Sequence, residues 1–242
     1  MSQKGRGIVL ALIASACLIV TSAAWAQQPA DTFWVNYFSN NDVVAGLDEE
    51  VRIINPGDYA PTYPPASMCA MIYVFDNKQE LSECCGCLIT TNGLAEASVS
   101  TQLTSNPFNG VSPTDGDIKI VSALPNATFT EDGYTYPVCD PAGGGFGTNG
   151  KYALNIAPTP DVRAWSTHTP GYDKPDGRTT EDIFQPATLS TAELDSLQEQ
   201  CTNILTTGSG FGYCTATYSS SNYCGPNLYD DNDDAATAKR KK

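Results

Sequence analysis

The chain contains the stretch Cys69-Ala-Met-Ile-Tyr-Val-Phe75, followed shortly by the cluster Glu83-Cys-Cys-Gly-Cys87. The first stretch is rich in β-branched and aromatic residues, which favours a β-strand. In a second strand the neighbours Cys84 and Cys85 would point to opposite faces of a sheet, and adjacent cysteines rarely bond each other. We therefore expect Cys84 and Cys85 to form disulfides with different partners. A bond between Cys69 and this cluster is one expected pairing.

Comparable β-like runs recur through the chain, separated by Gly, Pro, Asn and Asp. Many short strands with turn residues between them predict a mainly β fold, an antiparallel β-sandwich-like domain. Asn92-Gly93 lies between two such runs and predicts a hairpin. Apolar and polar residues alternate in Ala97–Leu103, which is typical of a strand with one face packed on a core and the other in water. The predicted strands are Thr32–Phe38, Glu50–Ile54, Cys69–Phe75, Cys87–Thr91, Ala95–Leu103, Ile118–Ala123, Tyr134–Cys139, Tyr152–Ala157, Val162–Ser166 and Phe211–Tyr218.

One amphipathic helix is predicted near the C-terminus. Ser190-Thr-Ala-Glu193 is a capping box, in which the serine and glutamate side chains satisfy free amides of the first turn. Because Cys201 lies on the apolar stripe that follows, we expect a disulfide to tie this helix to the β-rich part. The stripe ends before Gly208 and consists of Leu194, Leu197, Cys201, Ile204 and Leu205.

The first 26 residues have the three parts of a secretory signal peptide. Lys4 and Arg6 form a positive start, Ile8–Val20 is an apolar run too short to span a bilayer, and Ala24-Trp-Ala26 is a small-x-small cleavage site. Cleavage there would remove both basic residues and change the net charge from −14 to −16. An uncleaved membrane anchor and lipid attachment at Cys17 are the alternatives. No later segment is apolar enough to cross a membrane, so we expect a secreted, periplasmic or cell-surface protein.

Cleavage would also remove one of the nine cysteines, and the even number that remains predicts a disulfide framework in an exported chain. A metal site formed by Cys84, Cys85 and Cys87 is the alternative. Structural zinc sites usually combine two C-x-x-C knuckles, and the chain has no such pair. An oxidising compartment also disfavours free thiolates. The expected disulfide residues are Cys69, Cys84, Cys85, Cys87, Cys139, Cys201, Cys214 and Cys224.

We divide the chain into four segments. Residues 1–26 are the predicted signal peptide, and residues 27–188 form a β-rich domain. Residues 189–229 combine the helix with a cysteine-bearing C-terminal segment packed on that domain. Residues 230–242 carry an acidic run followed by Lys239-Arg-Lys-Lys242, without an apolar pattern, and form a predicted disordered tail.

The chemical motifs do not form a catalytic constellation, and no catalytic residue is assigned. Gly145–Lys151 resembles a phosphate-binding loop, but Tyr152 stands where a serine or threonine would hold magnesium, so a glycine-rich surface loop fits better. His168, the single histidine, lies in a Thr/Pro/Gly-rich stretch and is expected to be an exposed loop residue. Ser166 is near it in sequence, but a serine triad is defined by spatial geometry.

Aspartate pairs in two turn-like segments are weak candidates for binding Ca²⁺, which prefers hard oxygen ligands. Neither segment has the full spacing of a calcium loop, so solvated turns are the simpler interpretation. No other cofactor is predicted. The four candidates are Asp115, Asp117, Asp173 and Asp176.

The charge balance limits the class of partner. Only 13 basic residues stand against 27 acidic ones, and the one basic cluster is the last four residues. Such a protein repels nucleic acid, which requires a basic surface. A surface or extracellular protein, or a glycan stacked on exposed aromatic side chains, is the expected partner.

The segment Ile72–Cys87, supported by Arg52–Gly57 and Cys69, resembles a segment of exported bacterial proteins of uncharacterised function. The shared pattern is YVFDxxQELxECCxC, and its Glu-Cys-Cys-x-Cys element is the most distinctive part. The resemblance covers about residues 32–122. It implies export and a cysteine-bearing β-domain, and it implies no activity, substrate or catalytic residue.

Together these patterns favour a non-enzymatic exported β-domain that acts at the cell surface or outside the cell in adhesion, binding or structure. Two alternatives stay open. One is a secreted hydrolase that uses carboxylates, or His168 with a nearby serine. The other is a filament subunit in which the strand Thr32–Phe38 pairs with the sheet edge of a neighbouring subunit.

Overall fold

The computed structural model describes residues 32–39, 48–57, 67–131, 134–143, 156–159, 162–168, 180–207, 209, 211–214 and 222–225. The mainly β fold with one helix, expected from the sequence, is confirmed. A single π-helical turn, Val99–Leu103, interrupts the strands. The described elements are β1 (Thr32–Phe38), β2 (Glu50–Ile54), β3 (Met68–Asp76), β4 (Leu81–Ile89), β5 (Leu94–Ser98), β6 (Gly116–Ala123), β7 (Ala127–Glu131), β8 (Tyr134–Val138), β9 (Arg163–His168), β10 (Thr180–Ile183), β11 (Gln185–Thr188), α1 (Thr191–Thr206) and β12 (Asn222–Gly225).

Two antiparallel sheets pack face to face. The larger sheet has the strand order β11-β1-β6-β3-β4-β12, the smaller one has the order β10-β9-β2-β5, and β7 pairs with β8 in a separate hairpin. The core between the sheets receives Trp34, Ile72 and Ile120 from the larger sheet. Val51 and Ala164 enter it from the smaller sheet. This burial of apolar area is the main favourable term in folding.

The central strands β3 and β4 of the larger sheet are buried on both faces. All nine residues of β3 are buried, and all but one of β4. A strand that is covered on both sides needs a continuous apolar run, which explains the sequence of β3. The second face carries Met71 and Tyr73, which belong to one apolar cluster with Leu197 and Ile204 of α1. The helix therefore acts as a third layer.

The smaller sheet is buried on one face only. Val51 and Ile53 of β2 point into the core, and Arg52 between them points outward. The Arg52 guanidinium forms ion pairs with Glu50, Glu96 and Glu181 on this outer face. Exposed pairs of this kind contribute little to stability, so the outer face is mainly a hydrated surface.

Helix α1 begins where predicted, and the serine half of the capping box forms, whereas the Glu193 carboxylate bonds Lys119 instead of a backbone amide. The Ser190 side chain accepts a hydrogen bond from the Glu193 amide at 3.1 Å. The Glu193 carboxylate accepts from the Lys119 ammonium of β6 at 2.6 Å, and that ammonium lies 4.8 Å from the centre of the Phe75 ring. The start of the helix is thus held on the outer face of the larger sheet by charge and by contact with an aromatic ring.

Strand β1 has hydrogen-bonded neighbours on both sides. Trp34 lies opposite Pro186 of β11 and Ile120 of β6. The strand pairs with β11 over Thr32–Val35 on one side and with β6 over Trp34–Phe38 on the other. This arrangement weighs against the filament alternative, in which β1 would pair with another molecule.

Several details of the strand prediction are wrong. The strand expected over Cys87–Thr91 is β4, which begins earlier, at Leu81. The strand expected over Ala95–Leu103 ends at Ser98, whose hydroxyl accepts from the Thr101 amide and whose amide donates to Gln102. These side-chain bonds compete with strand pairing and turn the chain into the π-helical turn.

The Asn92-Gly93 hairpin is also wrong, although the turn itself exists. Asn92 has a φ of 58°, and the Gly93 amide donates to the Thr90 carbonyl at 2.7 Å. The flanking strands do not pair, because β4 belongs to the larger sheet and β5 pairs with β2 in the smaller one. The turn carries the chain from one sheet to the other.

The remaining expectations fall partly outside the described residues. Of Tyr152–Ala157 only the last two residues are described, and neither is in a strand. Of Phe211–Tyr218 only the first four are described, and Tyr213 forms an isolated bridge to Cys84. The signal peptide, the loop Gly145–Lys151 and the charged tail lie outside. Among the described residues, no helix combines the length and apolar character needed to cross a membrane.

Candidate functional site

Three disulfides cross-link the larger sheet to its surroundings. Their Cα–Cα distances of 5.5 to 6.0 Å lie in the usual range for this bond. Cys84 and Cys85 bond different partners on opposite faces of the sheet, and a disulfide ties α1 to the β-body, so both of these expectations are confirmed. The expected bond between Cys69 and the cluster is wrong. The pairs are Cys69–Cys139, Cys84–Cys201 and Cys85–Cys214.

Cys87 is disulfide-bonded as well. Its backbone lies directly opposite that of Cys224 in the pairing of β4 with β12. The side chain of Cys224 lies outside what the structure describes. Cys84, Cys85 and Cys87 are all disulfide-bonded here, so none of them is present as the thiolate that a metal site would need.

His168 is buried at the end of β9, and its predicted place in an exposed loop is wrong. Its Nδ1 lies 3.1 Å from the Glu49 carboxylate, and its Nε2 lies 3.2 Å from the Ser166 hydroxyl. Ser166 and His168 are two residues apart in a strand, so their side chains share one face, the face that points toward the other sheet. Glu49 is the residue just before β2.

The larger sheet contributes to the same network. The Asn36 amide nitrogen of β1 donates to the Ser166 hydroxyl at 2.7 Å, which links the two sheets through a buried hydrogen bond. The next residue, Tyr37, stacks its ring on the His168 imidazole with centroids 4.5 Å apart and planes inclined by 10°. We call Asn36, Glu49, Ser166 and His168 the buried polar network.

The Glu49 carboxylate of the network lies in a buried, low-dielectric environment. Burial raises the pKa of Glu49 above its usual range, while a hydrogen bond from the Ser39 amide and the neighbouring His168 act in the opposite direction. Only 1% of Glu49 is exposed. Its contacts to the Ser39 amide and to the His168 ring keep both carboxylate oxygens hydrogen-bonded, as a buried acid requires.

The network has the atom order of a serine triad, with Ser Oγ at His Nε2 and a carboxylate at His Nδ1. Its surroundings differ from those of a nucleophile, because only 2% of Ser166 is exposed and its oxygen already accepts from Asn36. A reacting carbonyl would have to come within about 3 Å of that oxygen. The arrangement as it stands satisfies buried polar groups and connects two sheets.

A second feature lies at the same end of the sandwich, where Gly116 of β6 pairs with Phe38 and with Asp76. The turn after β3 and the loop before β6 line an open cleft of about 350 Å³ with both polar and apolar surface. We call it the turn–loop cleft and define it by residues 76–78 and 109–115. Sequence reasoning identified only Asp115 among its lining residues.

The two calcium candidates that the structure describes lie in different surroundings. Asp115 lines the turn–loop cleft, whereas Asp117 lies on β6, opposite Tyr37 and Phe75. Burial raises the pKa of Asp117, and the nearby Lys119 lowers it. Asp173 and Asp176 lie outside the described residues. Within the described ranges no three His, Cys, Asp or Glu residues are grouped so that they could hold a metal ion.

One further buried acid was missed by sequence reasoning. Glu83 of β4 is fully buried, and one carboxylate oxygen accepts from the Asn106 amide at 2.7 Å. The other oxygen has no hydrogen-bond partner among the described residues. Burial raises the pKa of Glu83 to about 8, and the Asn106 amide opposes this rise. Its position directly before the cysteine cluster Cys84–Cys87 was the sequence signal that could have identified it.

Comparison with known proteins gives no relative. No family model matches the chain, and neither a curated protein nor a solved structure is significantly similar to it. The resemblance of Ile72–Cys87 to exported bacterial proteins therefore stays an expectation. The function has to be argued from the fold, the disulfides and the two polar features.

Proposed function

We propose that the protein is an exported, non-catalytic β-sandwich that acts at the cell surface or outside the cell as an adhesion, binding or structural component. The observation that carries this proposal is the set of disulfides that fix the larger sheet on both faces. Cys84 links one face to α1, and Cys85 links the other face to Cys214. Such frameworks form and persist in oxidising compartments.

The sequence adds a second line of support. Residues 1–26 have the pattern of a cleavable secretion signal, and the excess of acidic residues favours a soluble product that avoids nucleic acid. The buried polar network supports a non-catalytic role, because its serine is enclosed and already hydrogen-bonded to Asn36. The partners that we propose are a surface or extracellular protein or a glycan.

Fractionation of the native host tests the location. We expect to recover the protein outside the cytoplasm. Its intact mass should correspond to a chain that starts at Gln27, and it should be lower than the mass of the reduced chain by two hydrogens for each disulfide. Digestion without reductant should yield one disulfide-linked species in which the peptide that contains Cys84 and Cys85 is joined to Cys201 and Cys214. Recovery of the reduced chain from the cytoplasm, with residues 1–26 retained, would contradict the proposal.

A serine hydrolase is the second candidate, carried by the 3.2 Å and 3.1 Å contacts of His168 with Ser166 and Glu49. A fluorophosphonate probe reacts with an activated serine, so it separates this candidate from the first. For a non-catalytic protein we expect no labelling of Ser166 in the folded state. Labelling of the native protein that is lost in both Ser166→Ala and His168→Ala would establish the hydrolase.

A further inference from the structure

The turn–loop cleft is a cavity built from two chain segments with fixed conformations. On one side, the Asp76 carboxylate accepts from the Lys78 and Glu80 amides at 2.9 and 3.0 Å, and Gln79 adopts a left-handed φ of 67°. These bonds close a tight turn after β3. The turn therefore presents its exposed side chains, including Lys78, in a defined direction.

The opposite side of the cleft is fixed by bonds within its own loop and to the β-body. The Asn109 side chain accepts from the Val111 amide at 2.9 Å, and the Gly110 amide donates to the Pro107 carbonyl. Two residues further back, the Phe108 amide donates to Ser82 of β4. The loop is thus ordered without regular secondary structure, as binding loops on a rigid scaffold commonly are.

The chemistry of the lining selects the class of ligand. Lys78 forms no ion pair among the described residues, so its ammonium is available as a donor. The Asp115 carboxylate supplies acceptors and Asn109 adds an amide, whereas the Asp76 carboxylate, which also lines the cleft, already accepts from the amides of the turn. Because a hydroxyl group both donates and accepts, this mixture of donors and acceptors matches a ligand with many hydroxyl groups. Val111, of which 69% is exposed, offers an apolar surface to the C–H face of a sugar ring.

Size and charge narrow the choice further. A volume of about 350 Å³ lies at the small end of ligand sites, which commonly measure about 300–1,000 Å³. Two carboxylates against one ammonium disfavour an anionic ligand. We propose that the turn–loop cleft binds one or two units of a neutral glycan. This inference rests on the proposed extracellular binding function and assigns it a ligand class and a location.

The test uses the full exported chain with its disulfides intact. Binding of the protein to an array of oligosaccharides that are neutral, contain N-acetylated amino sugars or are acidic identifies the bound glycan. Titration calorimetry then gives its Kd. Hydrogen bonds to charged groups are strong, so we expect Lys78→Ala and Asp115→Asn each to weaken binding of the neutral glycan by about tenfold or more. Asp182→Asn, an exposed aspartate on β10, is the matched control and should leave Kd unchanged.

Each other outcome overturns the inference. If no neutral glycan binds, or if both cleft variants bind like the native protein, the cleft is not a glycan site. Glycan binding that survives both substitutions would still support the extracellular function and would place its site elsewhere. If EDTA abolishes binding and the cleft binds Ca²⁺ directly, the cleft is a cation site. The proposed function itself fails in a different experiment, if fractionation recovers the reduced protein from the cytoplasm.

Discussion

Replacement of the buried Glu83 by glutamine should remove much of the pH dependence of folding. In the native state the Glu83 carboxyl has a pKa of about 8, against a usual value of 4.5. Between these two values the folded chain keeps a proton that the unfolded chain releases. Stability therefore falls as pH rises through this window, by about 1.4 kcal/mol per pH unit at its centre, and levels off above pH 8.

The structure sets the size of the effect. Over the whole window the proton linkage corresponds to about 4–5 kcal/mol, and at pH 7 it corresponds to about 3 kcal/mol. Glutamine stays neutral, and its oxygen can still accept from the Asn106 amide as Glu83 does. Its two amide hydrogens would meet the apolar side where the second oxygen has no partner, which costs about 1–3 kcal/mol. The pH slope is thus a sharper observable than the absolute stability.

Urea unfolding between pH 5 and pH 8, with the disulfides intact, measures this slope. We expect native stability to fall by several kcal/mol relative to Glu83→Gln across that range. Glu96→Gln is the control, because Glu96 is exposed on the smaller sheet and should leave the slope unchanged. Parallel pH profiles for the native protein and Glu83→Gln would refute the reasoning and show that water or a rearranged partner solvates this carboxylate.

Three further predictions concern stability, each measured by urea unfolding. Replacing both Cys84 and Cys201 by serine should cost about 2–5 kcal/mol, because the unfolded chain gains the freedom of a 117-residue separation; no change would mean that α1 is held by packing alone. Ser166→Ala should cost about 1–3 kcal/mol, since it leaves the Asn36 amide buried without an acceptor, and an unchanged midpoint would show that water replaces the hydroxyl. Gly86→Ala should prevent normal folding, because its Cβ would lie 2.2 Å from a backbone carbonyl oxygen, whereas Gly110→Ala meets no atom within 4 Å and should show only the strain of its positive φ.

The elements best predicted from sequence are those whose signal is local. The bounds of β1 and β2 agree with the runs Thr32–Phe38 and Glu50–Ile54. The start of α1 follows from the hydroxyl of Ser190 and the spacing of Leu197, Cys201 and Ile204 on one face. In each case a few adjacent residues are enough to specify the structure.

Prediction failed where the decisive contacts come from distant parts of the chain. The polar pair Ser82-Glu83 hid the first half of β4, although both residues are buried in the larger sheet. His168 looked exposed because its sequence neighbours are polar. Its actual partner Glu49 is 119 residues away, and Asn36 reaches Ser166 across 130 residues. No local pattern encodes these distances.

An alignment role and a catalytic role for the buried polar network lead to different effects of substitution. Apolar faces tolerate small sliding movements, because their contacts are not directional. The Asn36–Ser166 bond is directional, and a shift of either sheet would leave the Asn36 amide nitrogen buried without its acceptor, at about 1–3 kcal/mol, while Ser166 would keep its contact with His168. The network therefore favours one alignment of the sheets and fixes the end that carries the turn–loop cleft. On this account Ser166→Ala unfolds more easily and yet, while folded, binds the same glycan with native affinity. A hydrolase would instead keep its fold and lose its activity.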